Sequence, residues 1–290
     1  MSAEIIEAAS TAGTLGTARP GPAGARSRVG QLSGRMSFRR ALAQSLTLAW
    51  RNVAQLRHSP EKLLDVIVMP IVFMVLFLFV FGAAVAGSTH AYLEELLPGL
   101  IAQMAMFATM SLGSALCEDI HKGVFDRFRS LPVARCAPLA GAVIGDSVRF
   151  LTVMTVLTGF GCAIGFRFHA SALSILAAYG LAYAFYLAAC WVSVLLGLIV
   201  SSPRSVQGIS FIWTMPLTFG SSVLMADTAK MPGWLQAWVK VNPVTHLADS
   251  LRALTIGGPV GDHVVYTLAW SAGIVVVTFP IAMRLYARRV

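Results

Sequence analysis

Met69-Pro-Ile-Val-Phe-Met-Val-Leu-Phe-Leu-Phe-Val-Phe81 lies inside an uncharged run from Val66 to Ala86. A helix crosses the hydrocarbon core of a bilayer in about 20 mostly apolar residues, so this run reads as a membrane span. Five more follow, at about 97–116, 138–166, 172–200, 206–225 and 264–283. The third is the longest and holds two charges, Asp146 and Arg149. They stand three apart on one helix face and can pair. Near a membrane interface such a pair is structural; at depth it can relay protons or touch substrate.

The composition agrees with that reading. Of 290 residues 57% are hydrophobic and 12% are charged, where a soluble domain has about 25% charged and 45–50% apolar residues. A disordered chain is excluded, and an ordinary soluble enzyme nearly so. The net charge of +9 suits nucleic acid or a membrane surface, and its distribution decides between them. With the N-terminus inside, nine Lys/Arg precede the first span, four (Lys122, Arg127, Arg129, Arg135) follow the second, Arg204 follows the fourth and three end the chain. Those seventeen face Arg167, Lys230, Lys240 and Arg252 on the other side. Cytoplasmic loops carry the excess of Lys and Arg, so six spans with both termini cytoplasmic fit. Cations sorted by side do not make a nucleic-acid groove.

Outside the spans, residues 1–36 are rich in Ala, Gly, Ser, Thr and Arg and read as a disordered cytoplasmic tail without a signal-peptide pattern. Residues 37–58 repeat Phe38, Leu42, Leu46, Ala49, Val53 and Leu56 at steps of three or four. This predicts an amphipathic elbow helix on the cytoplasmic surface, or a soluble helix packed on a partner. Within the third span, Gly141/Gly145 and Gly161/Gly165 have the G-x-x-x-G spacing, which permits close helix packing. Cys117, Cys136, Cys162 and Cys190 form no C-x-x-C and read as thiols rather than metal ligands. The histidines are scattered, and no G-x-S-x-G or H-E-x-x-H occurs, so an intramembrane hydrolase has no catalytic cluster to use.

Two segments carry functional signals. Glu118-Asp-Ile-His-Lys-Gly-Val-Phe-Asp-Arg-Phe-Arg-Ser-Leu-Pro132 combines dense charge with Ile120, Val124, Phe125, Phe128 and Leu131 at helical spacing. It reads as a short helix for a cleft on a soluble partner, ended by Pro132, or as a solvated loop against the headgroups. Met231-Pro-Gly-Trp-Leu-Gln-Ala-Trp-Val-Lys-Val-Asn-Pro-Val-Thr-His-Leu-Ala-Asp-Ser-Leu-Arg252 reads as two short external helices around an Asn242-Pro243 break. Thr245 is a candidate N-cap for the second, and Gly257-Gly258-Pro259 ends it. Such a pair dips into the outer leaflet or anchors at its interface through aromatic residues.

Both segments resemble type-2 ABC exporter permeases, most of all the daunorubicin-resistance-type drug permeases, and the resemblance covers the chain from about Ser37 to its end. It implies an all-α polytopic membrane protein with six transmembrane helices, a cytoplasmic elbow helix, a coupling helix and external re-entrant half-helices. It further implies residence in the bacterial plasma membrane, pairing of two copies of the chain, and a separate ABC ATP-binding subunit. Coupling to that ATPase would fall to Asp119, Gly123, Asp126, Arg127, Phe128, Arg129 and Pro132. The external gate would use Pro232, Trp234, Trp238, Asn242, Pro243 and Arg252. The sequence has no G-x-x-x-x-G-K-[ST] loop, so ATP and Mg belong on the partner, and this chain is a transport subunit without a cofactor or metal of its own. Met104, Phe107, Phe211 and Met215 on spans two and five are candidates for the path of a hydrophobic small molecule, because flexible thioethers and flat rings suit amphipathic aromatic substrates. The alternative in the same superfamily is export of a polysaccharide or lipid-linked glycan.

Overall fold

Helix boundaries follow local chemistry. The computed structural model describes residues 60–123, 137–224 and 231–289; the tail, the elbow and Asp126, Arg127, Phe128, Arg129 and Pro132 lie outside these. The described residues form eight helices: α1 (Pro60–Ala86), α2 (Thr89–His121), α3 (Ala137–Ile164), α4 (Ala172–Ile199), α5 (Pro203–Phe219), α6 (Gly233–Val241), α7 (Pro243–Ile256) and α8 (His263–Arg289). Ser88, Ser171 and Ser202 cap α2, α4 and α5, each hydroxyl accepting a first-turn backbone N–H, which supplies a partner to a group the helix leaves unpaired.

Four of these helices, α2, α3, α4 and α8, are long and apolar enough to cross a membrane. In α1 the described apolar stretch is Ile67–Gly82, and α5 has 17 residues. Several boundaries differ from the hydropathy reading by about five residues or more: the first helix starts at Pro60, the second ends at His121 and the last runs on to Arg289, and two further differences have a local cause. The second helix starts at Thr89 rather than near 97, because a Ser88 cap tolerates Glu94, Glu95 and Pro98 in the early turns. The fifth ends at Phe219 rather than near 225, where Gly220 takes over.

The hub is α2, which packs against α1, α3, α4, α5 and α7. Its 33 residues rise about 1.5 Å each, giving about 50 Å, so it outreaches the about 30 Å hydrocarbon core. Leu97, Leu100, Leu112 and Leu116 of α2 join Phe150, Met154 and Leu157 of α3 and Phe185, Tyr186 and Cys190 of α4 in the core. Outward, α1 presents Met69, Val72, Leu76, Phe79 and Val80. An apolar exterior is what a lipid solvent permits, and association inside it then depends on close packing.

The closest helix-to-helix packing comes from two glycines that local spacing did not single out. A Cβ on Gly113 would lie 2.7 Å from the Ser193 carbonyl oxygen, and one on Gly197 would lie 2.6 Å from the Gly113 oxygen, so α2 and α4 touch backbone to backbone. Of the spaced pairs in α3, Gly141 and Gly145 are buried and Gly161 sits against Leu97. Gly165 lies past the helix end at φ +126°, where a Cβ would meet the His90 ring of α2 at 3.6 Å, and its N–H donates to the Gly161 oxygen.

Candidate functional site

The start of the charged segment and the α6–α7 pair lie at opposite ends of α2. At the C-terminal end α2 runs through Cys117, Glu118, Asp119 and Ile120 before it stops, so the start of the charged segment is the last turn of this helix. Gly123 ends it at φ +66°, a conformation that suits glycine, and its N–H donates to the Ile120 oxygen at 3.1 Å. Asp119 is exposed. Lys122 pairs with Glu118 at 2.6 Å, and that carboxylate holds the ammonium above its ordinary pKa. The Cys117 thiol donates to the Val200 oxygen, which brings the end of α4 to the same side.

The other end of α2 carries α6 and α7. A single residue, Asn242, separates these helices and closes one while opening the next. Its backbone N–H donates to the Trp238 oxygen at 3.0 Å, and its side-chain oxygen accepts the Val244 N–H at 2.9 Å. Its amide nitrogen donates to the Leu217 and Gly220 oxygens at 2.8 and 3.0 Å. The break between α6 and α7 is thereby fixed to the end of α5, and Pro243 occupies the first helical turn where its missing N–H costs nothing. This corrects the expected cap: Asn242 caps α7, whereas Thr245 accepts from the Ser222 N–H. Asn242 stands at the break, where its side-chain oxygen meets the first-turn N–H of Val244, and Thr245 is already inside the helix.

Arg252 is the anchor of this end. It pairs with Asp249 at 2.8 Å. It donates to the backbone oxygens of Glu95 at 3.0 Å, Ser222 at 2.6 Å and Val223 at 2.9 Å. Ser222 donates to the same Asp249 oxygen at 2.8 Å. Burial pulls the guanidinium below its ordinary pKa, and Asp249 opposes that shift. Gly99 makes the contact possible: a Cβ there would stand 2.2 Å from the Val223 oxygen. Tyr92 donates to the Leu224 oxygen at 2.9 Å. The turn after α5 is therefore tied to α2 and α7 together. Asp249 and Tyr92 were not singled out in the sequence; for Asp249 the signal was available, since it stands three residues before Arg252 as Asp146 stands before Arg149.

The remaining residues expected at the gate are exposed or partly so. Pro232 and Gly233 are exposed, Trp234 is 75% exposed and Trp238 44%, and the Trp238 indole also lies against Gly220. His246 of α7 meets His263 of α8, Nδ1 to Nδ1 at 3.3 Å. Desolvation, then His263, lowers the His246 pKa, against Asp249 and the Lys240 backbone carbonyl.

Asp146 and Arg149 do pair, at 3.0 Å, and two other helices complete the group. Tyr186 of α4 donates to Asp146 at 2.5 Å while stacking on Phe150 with centroids 4.4 Å apart. Arg149 also donates to the Ala108 backbone oxygen of α2. Every partner holds α3 against its neighbours, so the geometry is that of a clamp. Replacing Tyr186 with Phe leaves a half-buried carboxylate short of a donor, and the expected loss is about 1–3 kcal/mol, read as an earlier melting transition in detergent with a single size-exclusion peak retained below it.

The path candidates do not share one surface. Met104 is 6% exposed and packed in the core. Phe107 is half-buried against Phe73 with centroids 6.1 Å apart. Met215 is half-buried, and Phe211 is 52% exposed. Among the described residues no group of three His, Cys, Asp or Glu is arranged to hold a metal ion.

Residues 43–256 match the ABC-2 type transporter family. The chain is 38% identical over 250 residues to the daunorubicin resistance ABC transporter permease protein of Streptomyces coeruleorubidus, covering 86% of this chain and 88% of that one. It is 26% identical over 237 residues to a probable doxorubicin resistance ABC transporter permease protein of Mycobacterium tuberculosis, covering 81% and 85%. A putative transport permease of Cyanophora paradoxa is 24% identical over 218 residues, covering 73% and 74%. By these matches the chain belongs to the ABC-2 type transporter family, as the membrane-embedded permease of a type-2 ABC exporter.

Proposed function

We propose that this permease exports amphipathic, aromatic drugs or natural products by alternating access, driven by ATP hydrolysis on a separate ABC subunit. The observation that carries the proposal is the division of labour along α2. Between Glu95, at the Arg252 anchor, and Lys122, at the start of the charged segment, a rise of about 1.5 Å per residue places about 40 Å. One rigid helix thus joins an outer cap to a segment suited to a motor. In this reading α1 to α5 and α8 are the six spans, with the charge-rich side cytoplasmic. The segment after Gly123 is the coupling helix, residues 37–58 add an elbow to it, and the working unit pairs two copies of the chain with two ATPases.

The pair α6–α7 is the external gate. Fourteen residues of α7 are too few to span, yet α7 packs against the spanning helices α2, α4 and α8, which supports a re-entrant placement. Irregular backbone at that depth is tolerated where protein covers it, and Asn242 and Arg252 provide such cover. Phe107, Phe211 and Met215 offer flat or flexible surface to an aromatic substrate, with Met104 packed behind. The names of the relatives, which refer to daunorubicin and doxorubicin resistance, support that substrate class.

Replacing Trp234 and Trp238 together with Ala, at equal expression, is expected to lower export by cells carrying both chains while the complex still assembles. Undiminished export would remove α6 from the gate.

A further inference from the structure

Between α7 and the spanning helix α8, hydrogen bonding comes down to one pair. Two polar contacts line this seam one turn apart, His246 with His263 and Ser250 with Thr267. In the second, both hydroxyl protons are already committed. Ser250 donates to the His246 oxygen at 2.6 Å and Thr267 to the His263 oxygen at 2.8 Å. A hydroxyl has one proton to donate, so these two oxygens, 3.4 Å apart, have none to share. Among the described residues the imidazole pair is therefore the hydrogen bond that joins α7 to α8, with Nδ1 to Nδ1 at 3.3 Å.

A bond between two ring nitrogens needs one to donate and one to accept. A neutral imidazole offers one of each, and a protonated imidazole only donates. The pair therefore forms when both rings are neutral and when one of them is protonated. With both protonated, two donors and two positive charges meet at contact distance, and no lone pair is left to bridge them.

Few groups around His246 respond to its charge. His263 and Tyr266 face it from α8, the Tyr266 ring at 4.9 Å between centroids, and exposed Asp262 precedes that helix. Asp249 stands on its own helix, already paired with Arg252, and α6 contributes the backbone of Lys240. Of the α2 carboxylates, Glu94 lies beside His169 and Glu95 beside Arg252. Helix α4 has no charged residue, and its Tyr179 and Tyr186 bond to α3. The one charge of α5, Arg204, is in its first turn at the far end. Burial, then His263, hold the His246 pKa below its ordinary value, against Asp249. A base whose pKa is lowered in the closed state takes up its proton more readily when that state opens. The closed pair is thus intact above about 6.5, the ordinary histidine value, and is lost as the pH falls below it.

We propose that His246 and His263 form a proton-operated latch, which holds α7 against α8 while one imidazole is neutral and lets go when external acid protonates both. Protons reach it from the side read as external, where His263 is half-buried and Tyr266 exposed. Release is local, because Asn242 and Arg252 still tie α7 to α5 and α2. The inference rests on the reading of α6–α7 as the external gate and adds a regulator to it, the proton concentration outside the cell.

The test uses the full chain co-expressed with its ATPase, with Cys117, Cys136, Cys162 and Cys190 changed to Ser or Ala. Val241→Cys at the end of α6 and Val265→Cys in the first turn of α8, both exposed positions, carry nitroxide labels. Their separation is measured by pulsed electron paramagnetic resonance in nanodiscs at about pH 7.5 and about pH 5, on either side of the histidine range. The expected result is a longer-distance population that grows severalfold at the lower pH. His246→Gln and His263→Gln are each expected to abolish that growth, because the amide can still bond to the remaining ring and cannot take up the second proton. Distances that do not change with pH, or that change as much in both Gln variants, overturn the latch. Daunorubicin-stimulated ATP hydrolysis judges the gate separately, in proteoliposomes with MgATP in the bath and only the lumen acidified. A rate that depends on lumen pH in the wild type and in neither Gln variant supports latch and gate together. An acid-dependent distance with an unchanged rate would keep the pair as a proton-sensitive contact and remove α7 from the gate.

Discussion

Reversing Asp126 to Lys and Arg127 to Glu together is expected to detach the permease from its ATP-binding partner. Both residues lie in the charged segment that leaves the C-terminal end of α2. A helix with an aromatic face and a charged face docks by filling a cleft and aligning its charges with opposite ones. Placing like charges face to face costs several kcal/mol. A loss of about 3 kcal/mol corresponds to about a hundredfold weaker complex, enough to lose co-purification at ordinary protein concentrations. The control is built into the fold: α2 ends at Gly123 with its own cap, so charge changes beyond it leave the helix intact, and the variant should elute from size exclusion as the wild-type permease does. A double variant that still purifies with the ATPase and still couples hydrolysis to export would show that this segment is a solvated loop.

Replacing Arg252 with Ala is expected to produce the largest loss of stability in the molecule. Its guanidinium holds Asp249 and the backbone oxygens of Glu95, Ser222 and Val223, which belong to α7, α2 and the turn after α5. Removing one member of a fully buried ion pair costs about 3–5 kcal/mol; Asp249 is 26% exposed, so the loss here comes as much from the three backbone oxygens left without a donor, at about 1–3 kcal/mol each where buried. Arg252→Lys is expected to recover only part of it, because a point ammonium cannot serve acceptors on three elements at once. Melting followed by retention of a single size-exclusion peak measures both variants; a curve for Arg252→Ala that matches the wild type would mean that the outer cap is held elsewhere.

The parts of this architecture that were readable in the sequence are those where one property is averaged over many residues. Long apolar runs gave four spanning helices nearly to their ends, because transfer of a side chain to lipid depends little on its neighbours. The start of α2 at Thr89 was less readable, since Glu94, Glu95 and Pro98 lower hydropathy without breaking a helix capped by Ser88. The Asn242-Pro243 break was legible from its residue types, but its partners were not. Leu217 and Gly220 contribute backbone oxygens, and a backbone oxygen has no signature of its own. The same holds for Arg252, whose three backbone acceptors can belong to any residue. Gly113 and Gly197 meet across two helices, and a pairing of residues so far apart leaves no local spacing to detect.

Daunorubicin accumulation in inside-out membrane vesicles tests the central claim most directly. Vesicles from cells expressing the permease and its ATP-binding partner are expected to take up the drug on addition of MgATP, and vesicles with either chain alone are expected not to. ATP-driven accumulation that is equal in vesicles lacking this chain, or no accumulation by an assembled complex that hydrolyses ATP, would contradict its proposed role as the membrane path of a drug exporter.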